Sequence, residues 1–373
     1  MCGIFSLFNY SEQIDNEFIT KQFNKASHRG PDNSTIDTEK NNFIGFHRLA
    51  INGIDNNSNQ PFKINNILLI CNGEIYNYKQ LYNNIKTKPT TNSDCEIIIY
   101  LYLTYGIEYT LNLLDGVFAF ILIDYNIDKL FVARDPYGVR PMFYLSNKCY
   151  SENNSKNNNV IGFASEMKQL IGFVNKINSE KYQVKQIMPG TYKIYNLINN
   201  IWQEEEEIRY NSFNLNKIID EDEEVEISEI LEIIHDTFCE AVRKRVETTD
   251  RPIACLLSGG LDSSIVTAIV NKYYSGQLET YSIGLENSED LKYAREVATF
   301  LETKHTEIIV TEEDFFNFIP HVIETIESYD TTTVRASVGN YLIGKYIATN
   351  SEAKVIFNGD GSDELMGGYL YLQ

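Results

Sequence analysis

Short apolar runs separated by turn residues fill the first two hundred positions of the chain. Five of these runs have the length of strands, at residues 67–70, 117–123, 130–133, 142–145 and 160–164. Runs of this length between turn signals are typical of buried strands. Helical spacing is rarer here, and its clearest example follows Ser93, where Ser93 and Glu96 form a candidate capping box. The pattern predicts sheets that are covered by helices.

The pattern changes after two runs of four acidic residues, 204–207 and 221–224. Apolar residues from 227 to 242 are spaced for one face of a helix. Beyond them strands and helices alternate, with strands predicted at 253–257, 280–283 and 355–357 and helices at 263–274 and 294–301. Alternation of this kind implies a parallel sheet with crossover connections. Because 373 residues also exceed the size of one ordinary core, we predict two domains, residues 1–208 and 209–373.

Composition narrows the range of partners. The 52 acidic and 32 basic residues give a formal charge of −20, which argues against a nucleic-acid or anionic-membrane partner. No apolar run approaches the roughly 20 residues that span a bilayer, and no signal-peptide pattern opens the chain. The six cysteines form no Cys-x-x-Cys pair and lie near no histidine at zinc spacing. We expect a cytoplasmic protein with reduced thiols that acts on small molecules.

A cysteine stands at the second position of the chain. Removal of Met1 would make Cys2 the first residue and give it a free α-amine, whose unperturbed pKa of about 7.7–8.0 lets it accept a proton near neutral pH. Nucleophile and base would then share one residue, as in N-terminal nucleophile hydrolases. An isolated cysteine at this position is more often a small buried residue, so the hypothesis depends on the rest of the chain.

A glycine-rich turn at residues 258–264 follows a predicted strand and opens a helix. Glycines allow close approach of the backbone, and the N–H groups at a helix start bind anions. The turn has no lysine, so it is not a Walker loop; pyrophosphate binding fits better, with Asp262 placed to hold Mg²⁺. A second acidic turn, residues 358–364, follows another strand, and both turns would face one crevice at the carboxyl edge of a parallel sheet.

Several blocks, in a shared order along the whole chain, resemble the glutamine-dependent asparagine synthetases, which are class II amidotransferases with an attached ATP-pyrophosphatase domain. These blocks include residues 1–4, 28–32, 47–51, 71–77, 93–96, 133–140, 163–168, 258–264, 332–337 and 361–364. Each block alone is weak, but their common order is specific. The resemblance implies an α/β protein, with an N-terminal Ntn-hydrolase αββα sandwich followed by a partial parallel-sheet domain of the HUP-like, PP-loop type.

For the first domain the resemblance implies glutamine hydrolysis. Cys2 would attack the side-chain amide, while Asn72 and the N–H of Gly73 would hold the oxyanion. A forked guanidinium suits a carboxylate, and the resemblance gives Arg48 to the α-carboxylate of glutamine. The same resemblance implies that Glu74 and Asp94 receive the α-ammonium group. The remaining glutamine-binding positions would be Leu49, Ala50, Ile51 and Asn52.

For the second domain the resemblance implies attack of the aspartate side chain on the α-phosphate of ATP, to give β-aspartyl adenylate and pyrophosphate. Ammonia from the first domain would then displace AMP and form asparagine. The ATP-binding positions would be Leu256, Ser258, Gly259, Gly260, Asp262, Ser263, Ile283, Asn358 and Gly359. The adenylate would lie near Thr332, Thr333 and Arg335, Mg²⁺ would bind Asp262 and Asp363, and Asp360 would be catalytic. A homodimer is also implied as a possible assembly.

The chain departs from the family pattern in its second half. Asp360 stands where the family usually has Glu, and Asn358 where it usually has Ser. A carboxylate one methylene shorter matters if it is displaced, since a shift of about 1 Å can lower a rate roughly a hundredfold. The family also continues well beyond the position of Gln373, so the second domain is expected to be truncated.

Three functions remain open on the sequence. The first is synthesis of asparagine from aspartate, glutamine and ATP. The second is a glutaminase whose truncated second domain binds nucleotide without synthesis. The third is a regulatory or partner-binding remnant, against which the joint presence of Cys2, Arg48, Asn72, Gly73 and Asp94 argues.

Overall fold

The computed structural model describes residues 1–11, 14–38, 42–147, 159–177, 180–212 and 226–369. It divides into two compact units, unit 1 from Met1 to Ile218 and unit 2 from Ile219 to Gln373. The acidic run 221–224, on which the predicted boundary partly depends, lies outside the described residues. The boundary at residue 208 therefore stays a prediction.

Unit 1 contains two six-stranded antiparallel sheets within its described part. The first sheet consists of β1 (Gly3–Phe8), β2 (Asn33–Asp37), β3 (Phe43–Arg48), β8 (Phe143–Asn147), β9 (Ile161–Ala164) and β10 (Tyr182–Gln186), in the spatial order β10-β8-β9-β1-β3-β2. The second consists of β4 (Phe62–Ile64), β5 (Ile67–Ile75), β6 (Gly116–Asp124), β7 (Lys129–Arg134), β11 (Thr191–Ile198) and β12 (Ile201–Arg209), in the order β12-β11-β7-β6-β5-β4. All five predicted strands of this half are present.

Helices cover the outer face of each sheet, because alternate side chains of the strands enter two different cores. In β1, Ile4 and Phe8 face the core between the sheets, whereas Phe5 and Leu7 face the outer core. Helices α1 (Asn16–Phe23) and α5 (Met167–Ile177) complete the outer core of the first sheet, and α2 (Tyr78–Ile85), α3 (Ile97–Tyr105) and α4 (Ile107–Leu113) that of the second. The resulting four layers confirm the predicted αββα sandwich.

Unit 2 has a four-stranded parallel sheet in its described part. Its strands are β13 (Ile253–Leu256), β14 (Glu279–Gly284), β15 (Lys304–Ile309) and β16 (Val355–Phe357), in the order β15-β14-β13-β16. Its helices are α6 (Ile227–Thr248), α7 (Leu261–Tyr273), α8 (Glu289–Phe300), α9 (Glu312–Ile326), α10 (Thr331–Asn350) and α11 (Ser362–Met366). Helices α6 and α7 pack on one face of the sheet and α10 on the other, which confirms the predicted parallel-sheet α/β class.

Two local predictions are corrected by the structure. Ser93 caps a short 3₁₀ turn at Asp94–Glu96 rather than α3, and the Glu96 carboxylate instead accepts hydrogen bonds from the N–H groups of Thr90 and Thr91. The predicted capping box was wrong, because the buried Glu96 side chain is hydrogen-bonded to the preceding loop. In α6 the predicted apolar face is buried only towards its end, and Ile227 is 74% exposed.

No helix in the described ranges combines the length and the apolar character that crossing a bilayer requires.

Candidate active site

A partly open cavity lies in unit 1, beside the start of β1, the end of β3 and the middle of β5. Its wall includes Cys2 and every predicted glutamine-binding residue except Ala50. The backbone N–H of Ala50 donates a hydrogen bond of 2.7 Å to Asp32, so Ala50 supports the wall instead of lining it. The complete lining is Met1, Cys2, Arg48, Leu49, Ile51, Asn52, Gln60, Cys71, Asn72, Gly73, Glu74, Ser93, Asp94, Cys95 and Arg140.

Cys2 is held firmly at the edge of this cavity. Its thiol lies 3.5 Å from the carbonyl oxygen of Leu49 and 3.4 Å from the Leu49 nitrogen, whose N–H donates to the sulfur. The carbonyl of Cys2 accepts a 2.8 Å hydrogen bond from Nε of Arg29, which also forms an ion pair with Glu166 at 3.2 Å. The backbone of the cysteine is therefore fixed while its sulfur faces the cavity wall.

The surroundings of the N-terminus favour the neutral form of its α-amine. Burial lowers the pKa of the Met1 α-amine to about 6. Burial raises the pKa of the Cys2 thiol, and the positive charge of the nearby amine acts in the opposite direction. An amine that is mostly uncharged near pH 7 can accept a proton from a thiol. In the chain as printed this amine belongs to Met1.

Strand pairing turns the backbone of Gly73 towards the cavity. On the adjacent β6, the N–H and C=O of Phe118 are bonded to Asp135, at 3.3 and 2.8 Å. Gly73 is paired with Phe118, so in an antiparallel ladder it must direct its own N–H and C=O away from β6. A Cβ on this glycine would lie 2.7 Å from the Val117 oxygen, which explains the residue type.

Side chains complete the outer edge of β5 on both sides of Gly73. The N–H of Cys71 donates to Oε1 of Gln60, and the N–H of Ile75 donates to Oδ2 of Asp94, both at 2.6 Å. Between them, the N–H of Gly73 has no hydrogen-bond acceptor among the residues that the structure describes. It is an available donor at the cavity wall.

Asn72 supplies a second donor beside it. The residue is 1% exposed, yet its side-chain nitrogen makes no hydrogen bond within the described part of the chain. A buried amide without a partner is unfavourable by about 1–3 kcal/mol. Such a group is expected where a ligand completes its hydrogen bonds, and here it lies in the same wall as Cys2.

Arg48 lies in the wall with most of its donors already engaged. One terminal nitrogen donates to the carbonyl of Asp55 and to the side-chain oxygen of Asn59, at 3.0 and 2.7 Å. The other donates to the carbonyls of Asn52 and Gly53. These four bonds fix the loop around the guanidinium and leave Nε–H as its remaining donor.

Two carboxyl groups lie in the same cavity wall. Asp94 is 3% exposed, and burial raises its pKa to about 6. Glu74 forms an ion pair of 3.1 Å with Arg140. The cavity therefore carries guanidinium groups and carboxyl groups together, which suits a ligand that has both an ammonium and a carboxylate group.

In unit 2 the two glycine-rich turns lie against each other. Gly359 follows β16, and a Cβ on it would lie 2.8 Å from the nitrogen of Ser263 and 2.9 Å from Cβ of Asp262. Gly259 has φ +81°, which favours glycine, and a Cβ there would lie 2.5 Å from the Ala294 nitrogen. Leu256, Ile283 and Gly359 belong to or follow the neighbouring strands β13, β14 and β16, so the structure brings most predicted ATP-binding positions to one sheet edge.

The remaining predicted residues of unit 2 are those assigned to the adenylate, to Mg²⁺ and to catalysis. Thr332, Thr333 and Arg335 lie in the first two turns of α10, and within the described ranges no hydrogen bond or ion pair joins them to the two glycine-rich turns. Asp360 accepts a 2.7 Å hydrogen bond from the side chain of Asn358. Asp262 and Asp363 each stand second in a helix, α7 and α11. The described residues contain no group of three or more His, Cys, Asp or Glu side chains that could hold a metal.

Sequence reasoning missed several residues of the cavity wall. Gln60 lies in a polar stretch that carries no distinctive signal. Arg140 ends one of the blocks that resemble a known family, but no role was assigned to it. Cys71 and Cys95 are both buried, and they also contribute to the wall.

The class of protein follows from its similarity to two known families. Residues 1–211 match the glutamine amidotransferase domain family, and residues 234–373 match the asparagine synthase family. The first match covers more than half of the chain, so the protein is a glutamine amidotransferase with an asparagine synthase region.

Individual relatives define the family. The chain is 39% identical to "Asparagine synthetase [glutamine-hydrolyzing]" of Cricetulus griseus and 38% identical to that of Homo sapiens; each alignment covers 100% of this chain and 67% of the relative. It belongs to the glutamine-hydrolysing asparagine synthetases, a family of ATP-dependent carbon–nitrogen ligases. Among solved structures, the glutamine-dependent NAD⁺ synthetase of Acinetobacter baumannii is 17% identical over 52% of this chain and 34% of its own, with a TM-score of 0.30.

Proposed function

We propose that unit 1 hydrolyses glutamine at Cys2 and that unit 2 uses the released ammonia to convert aspartate into asparagine with ATP. The observation that carries the first half is the unpartnered amide of Asn72, which lies with the open N–H of Gly73 in the cavity wall that also contains Cys2. Two free donors beside a nucleophile fit an oxyanion that forms only during reaction.

In the proposed hydrolysis, the Cys2 sulfur attacks the side-chain carbonyl carbon of glutamine as its proton passes to the α-amine. The C=O electron pair moves to oxygen, where Asn72 and Gly73 donate to it. Collapse breaks the C–N bond, and the leaving nitrogen takes the proton from the amine and departs as ammonia. Water then attacks the thioester and releases glutamate and the thiol. Met1 must be removed for the amine to belong to Cys2.

Substrate binding uses the charged groups of the same cavity. The Nε–H of Arg48, together with its positive charge, would hold the α-carboxylate. Asp94 and Glu74 would receive the α-ammonium group. Leu49, Ile51 and Asn52 complete the wall around the ligand, and Ala50 keeps the adjoining backbone in place.

In unit 2 the aspartate carboxylate would attack the α-phosphate of ATP and expel pyrophosphate, after which ammonia would displace AMP. The turn at Ser258–Ser263 would hold the pyrophosphate, since its N–H groups open α7 and its glycines permit close approach. Leu256, Ile283, Asn358 and Gly359 would surround the nucleotide, and Thr332, Thr333 and Arg335 the adenylate. Asp360 would act during formation and use of that adenylate.

The carboxylates of Asp262 and Asp363 fit Mg²⁺, which prefers oxygen ligands and retains several from water or phosphate. The close packing of Gly359 on Asp262 supports their location at one site. When bound, the ion would neutralise charge on the phosphate groups.

A glutaminase that does not synthesise asparagine is the second candidate. The specific observation in its favour is Asp360. Its side chain is one methylene shorter than the Glu usual in the family, and its carboxylate accepts a hydrogen bond from Asn358. Incubation of the protein with aspartate, ATP, magnesium and ammonium, followed by an assay for pyrophosphate, separates the two functions. Pyrophosphate supports the synthetase, and its absence alongside active glutaminase supports the second candidate.

Glutamine hydrolysis is tested by the Cys2→Ala variant. We expect release of glutamate by the unaltered protein and none by the variant. Cys239→Ala, which changes a buried cysteine of unit 2, is the matched control and should retain the activity. Equal glutamate release by Cys2→Ala and the unaltered protein would remove Cys2 from the mechanism.

A further inference from the structure

Arg140 lies in the cavity wall, at the end of a turn whose backbone is fixed independently of its side chain. Its N–H donates to Oδ2 of Asp135 at 3.0 Å, and its carbonyl accepts from Nε of Arg134 at 2.8 Å. Asp135 also accepts hydrogen bonds from the N–H groups of Tyr137 and Val139, at 3.1 and 3.0 Å. A change confined to the Arg140 side chain should therefore leave this turn folded.

Arg134 and Asp135, which are neighbours in the sequence, do not organise this turn by pairing with each other. Within the described residues neither side chain forms an ion pair with the other. The guanidinium of Arg134 donates to backbone carbonyls, and the carboxylate of Asp135 accepts from backbone N–H groups. Together they present Arg140 to the cavity.

The side chain of Arg140 reaches across the wall to Glu74. One terminal nitrogen lies 3.1 Å from Oε1 of Glu74, and each of the two side chains is 13% exposed. Arg140 is the ion-pair partner of Glu74 in the described part of the chain. Because the pair is largely buried, removal of the guanidinium would leave the carboxylate uncompensated beside the nucleophile.

Charge balance in the cavity shows why this pair matters. Arg48 and Arg140 contribute two positive side chains, and Glu74 and Asp94 contribute two carboxyl groups. A zwitterionic amino acid then enters without an excess of either charge. Arg140 engages one oxygen of Glu74 and leaves lone pairs of the other for an ammonium group.

We propose that Arg140 is a positioning residue for glutamine: it fixes the Glu74 carboxylate in the orientation that receives the α-ammonium group. The inference rests on the proposed glutaminase function and names a residue to which that function assigned no role. Arg140 acts through Glu74 and does not itself contact the reacting amide.

Glutamine binding is measured by calorimetry in the Cys2→Ala background, where no turnover occurs, and kcat and KM are measured in the chain that retains Cys2. Arg140→Gln is expected to weaken glutamine binding about tenfold and to raise KM by a similar factor, with a smaller change in kcat. Arg140→Lys, which keeps the charge but loses the planar fork, should restore part of the loss. Arg209→Gln, at an exposed arginine of the same unit, is the matched control and should bind glutamine normally.

A double-variant cycle tests whether Arg140 acts through Glu74. If it does, Glu74→Gln combined with Arg140→Gln should bind glutamine no more weakly than Glu74→Gln alone. Fully additive losses would overturn the positioning role. Thermal unfolding establishes that each variant is folded, and Arg140→Met, which keeps the aliphatic stem, replaces Arg140→Gln if the latter does not fold.

The outcomes separate this inference from the proposed function. Unchanged glutamine binding in Arg140→Gln, with an active unaltered protein and an inactive Cys2→Ala variant, overturns the inference alone. Absence of glutaminase activity and of glutamine binding in the unaltered protein overturns both.

Discussion

The buried side chain of Asn72 is difficult to explain without a ligand. Its side-chain nitrogen is buried and unpartnered in the described structure, which is unfavourable for folding unless a substrate oxygen completes it. The same atom lies in the wall that holds Cys2. A substrate oxygen that accepts from this nitrogen therefore explains both its unfavourable burial and its position beside the nucleophile in the wall.

Asn72→Ala is expected to lower kcat for glutamine hydrolysis by about 10²–10³ and to change KM little, because the lost hydrogen bond forms mainly in the transition state. Steady-state release of glutamate measures this. Asn112→Ala, at an exposed asparagine of α4, is the matched control. A rise in KM with an unchanged kcat would contradict the oxyanion role.

Asp94 predicts a pH dependence of glutamine binding. Burial raises its pKa to about 6, so the charged form that attracts an ammonium group dominates above that pH. As the pH falls through about 6, the carboxyl group is protonated and affinity should fall by about tenfold per pH unit.

Calorimetry with the Cys2→Ala variant, from about pH 8 to about pH 5, excludes proton transfer from the Cys2 thiol. Asp94→Asn in the same background should bind more weakly at neutral pH and lose the acid dependence. An identical acid slope in both proteins would show that another group titrates.

At the scale of elements, β5 depends on side chains for the edge that lines the cavity. Gln60 takes the place of a missing strand neighbour: its amide accepts from the Cys71 N–H at 2.6 Å and donates to the Cys71 carbonyl at 3.1 Å. Asp94 only accepts, from the Ile75 N–H at 2.6 Å. The donors of Asn72 and Gly73 lie between these two supports, so their positions depend on both.

Gln60→Met should lower the free energy of unfolding of unit 1 by about 1–3 kcal/mol, since it leaves a buried N–H without an acceptor, and should also lower kcat. The chain has one tryptophan, Trp202, buried between the sheets of unit 1. Its fluorescence during urea denaturation therefore follows this unit. Gln80→Met, at an exposed position of α2, should change neither quantity, and equal stability of both variants would contradict the support role.

The strands could be predicted because their signals are local, whereas the αββα layer order was implied by the family resemblance. Apolar runs such as 117–123 coincide with strands that are buried on both faces. The edge supports could not be predicted, since Gln60 and Asp94 reach β5 from distant loops and neither has a periodic pattern. The capping box at Ser93 failed for a similar reason: the tertiary partners of Glu96 lie in a loop that precedes it.

At the scale of the whole molecule, two units carry two proposed reactions. The residue types of the cavity were predictable by resemblance, whereas the wall positions of Gln60 and Arg140 required coordinates. The domain boundary at residue 208, the Mg²⁺ ligands, the homodimer and the cytoplasmic location stay predictions. The relatives are matched over 67% of their length.

Division of the chemistry between the units predicts the behaviour of Cys2→Ala with ammonium salts. Glutamine-dependent formation of pyrophosphate should disappear in this variant, while ammonium-dependent formation should equal that of the unaltered protein, because the proposed ATP-binding turns lie in unit 2. Pyrophosphate release in the presence of aspartate and ATP measures both. Loss of the two activities together would contradict the division, and Cys239→Ala again serves as the control.

The position of Met1 has a practical consequence. Met1 itself lines the cavity, and the strand that follows it is central in its sheet. An affinity tag fused ahead of Met1 would begin at the cavity wall, and it would keep the α-amine away from Cys2. Preparations tagged at that end should therefore be inert towards glutamine until a protease exposes the cysteine.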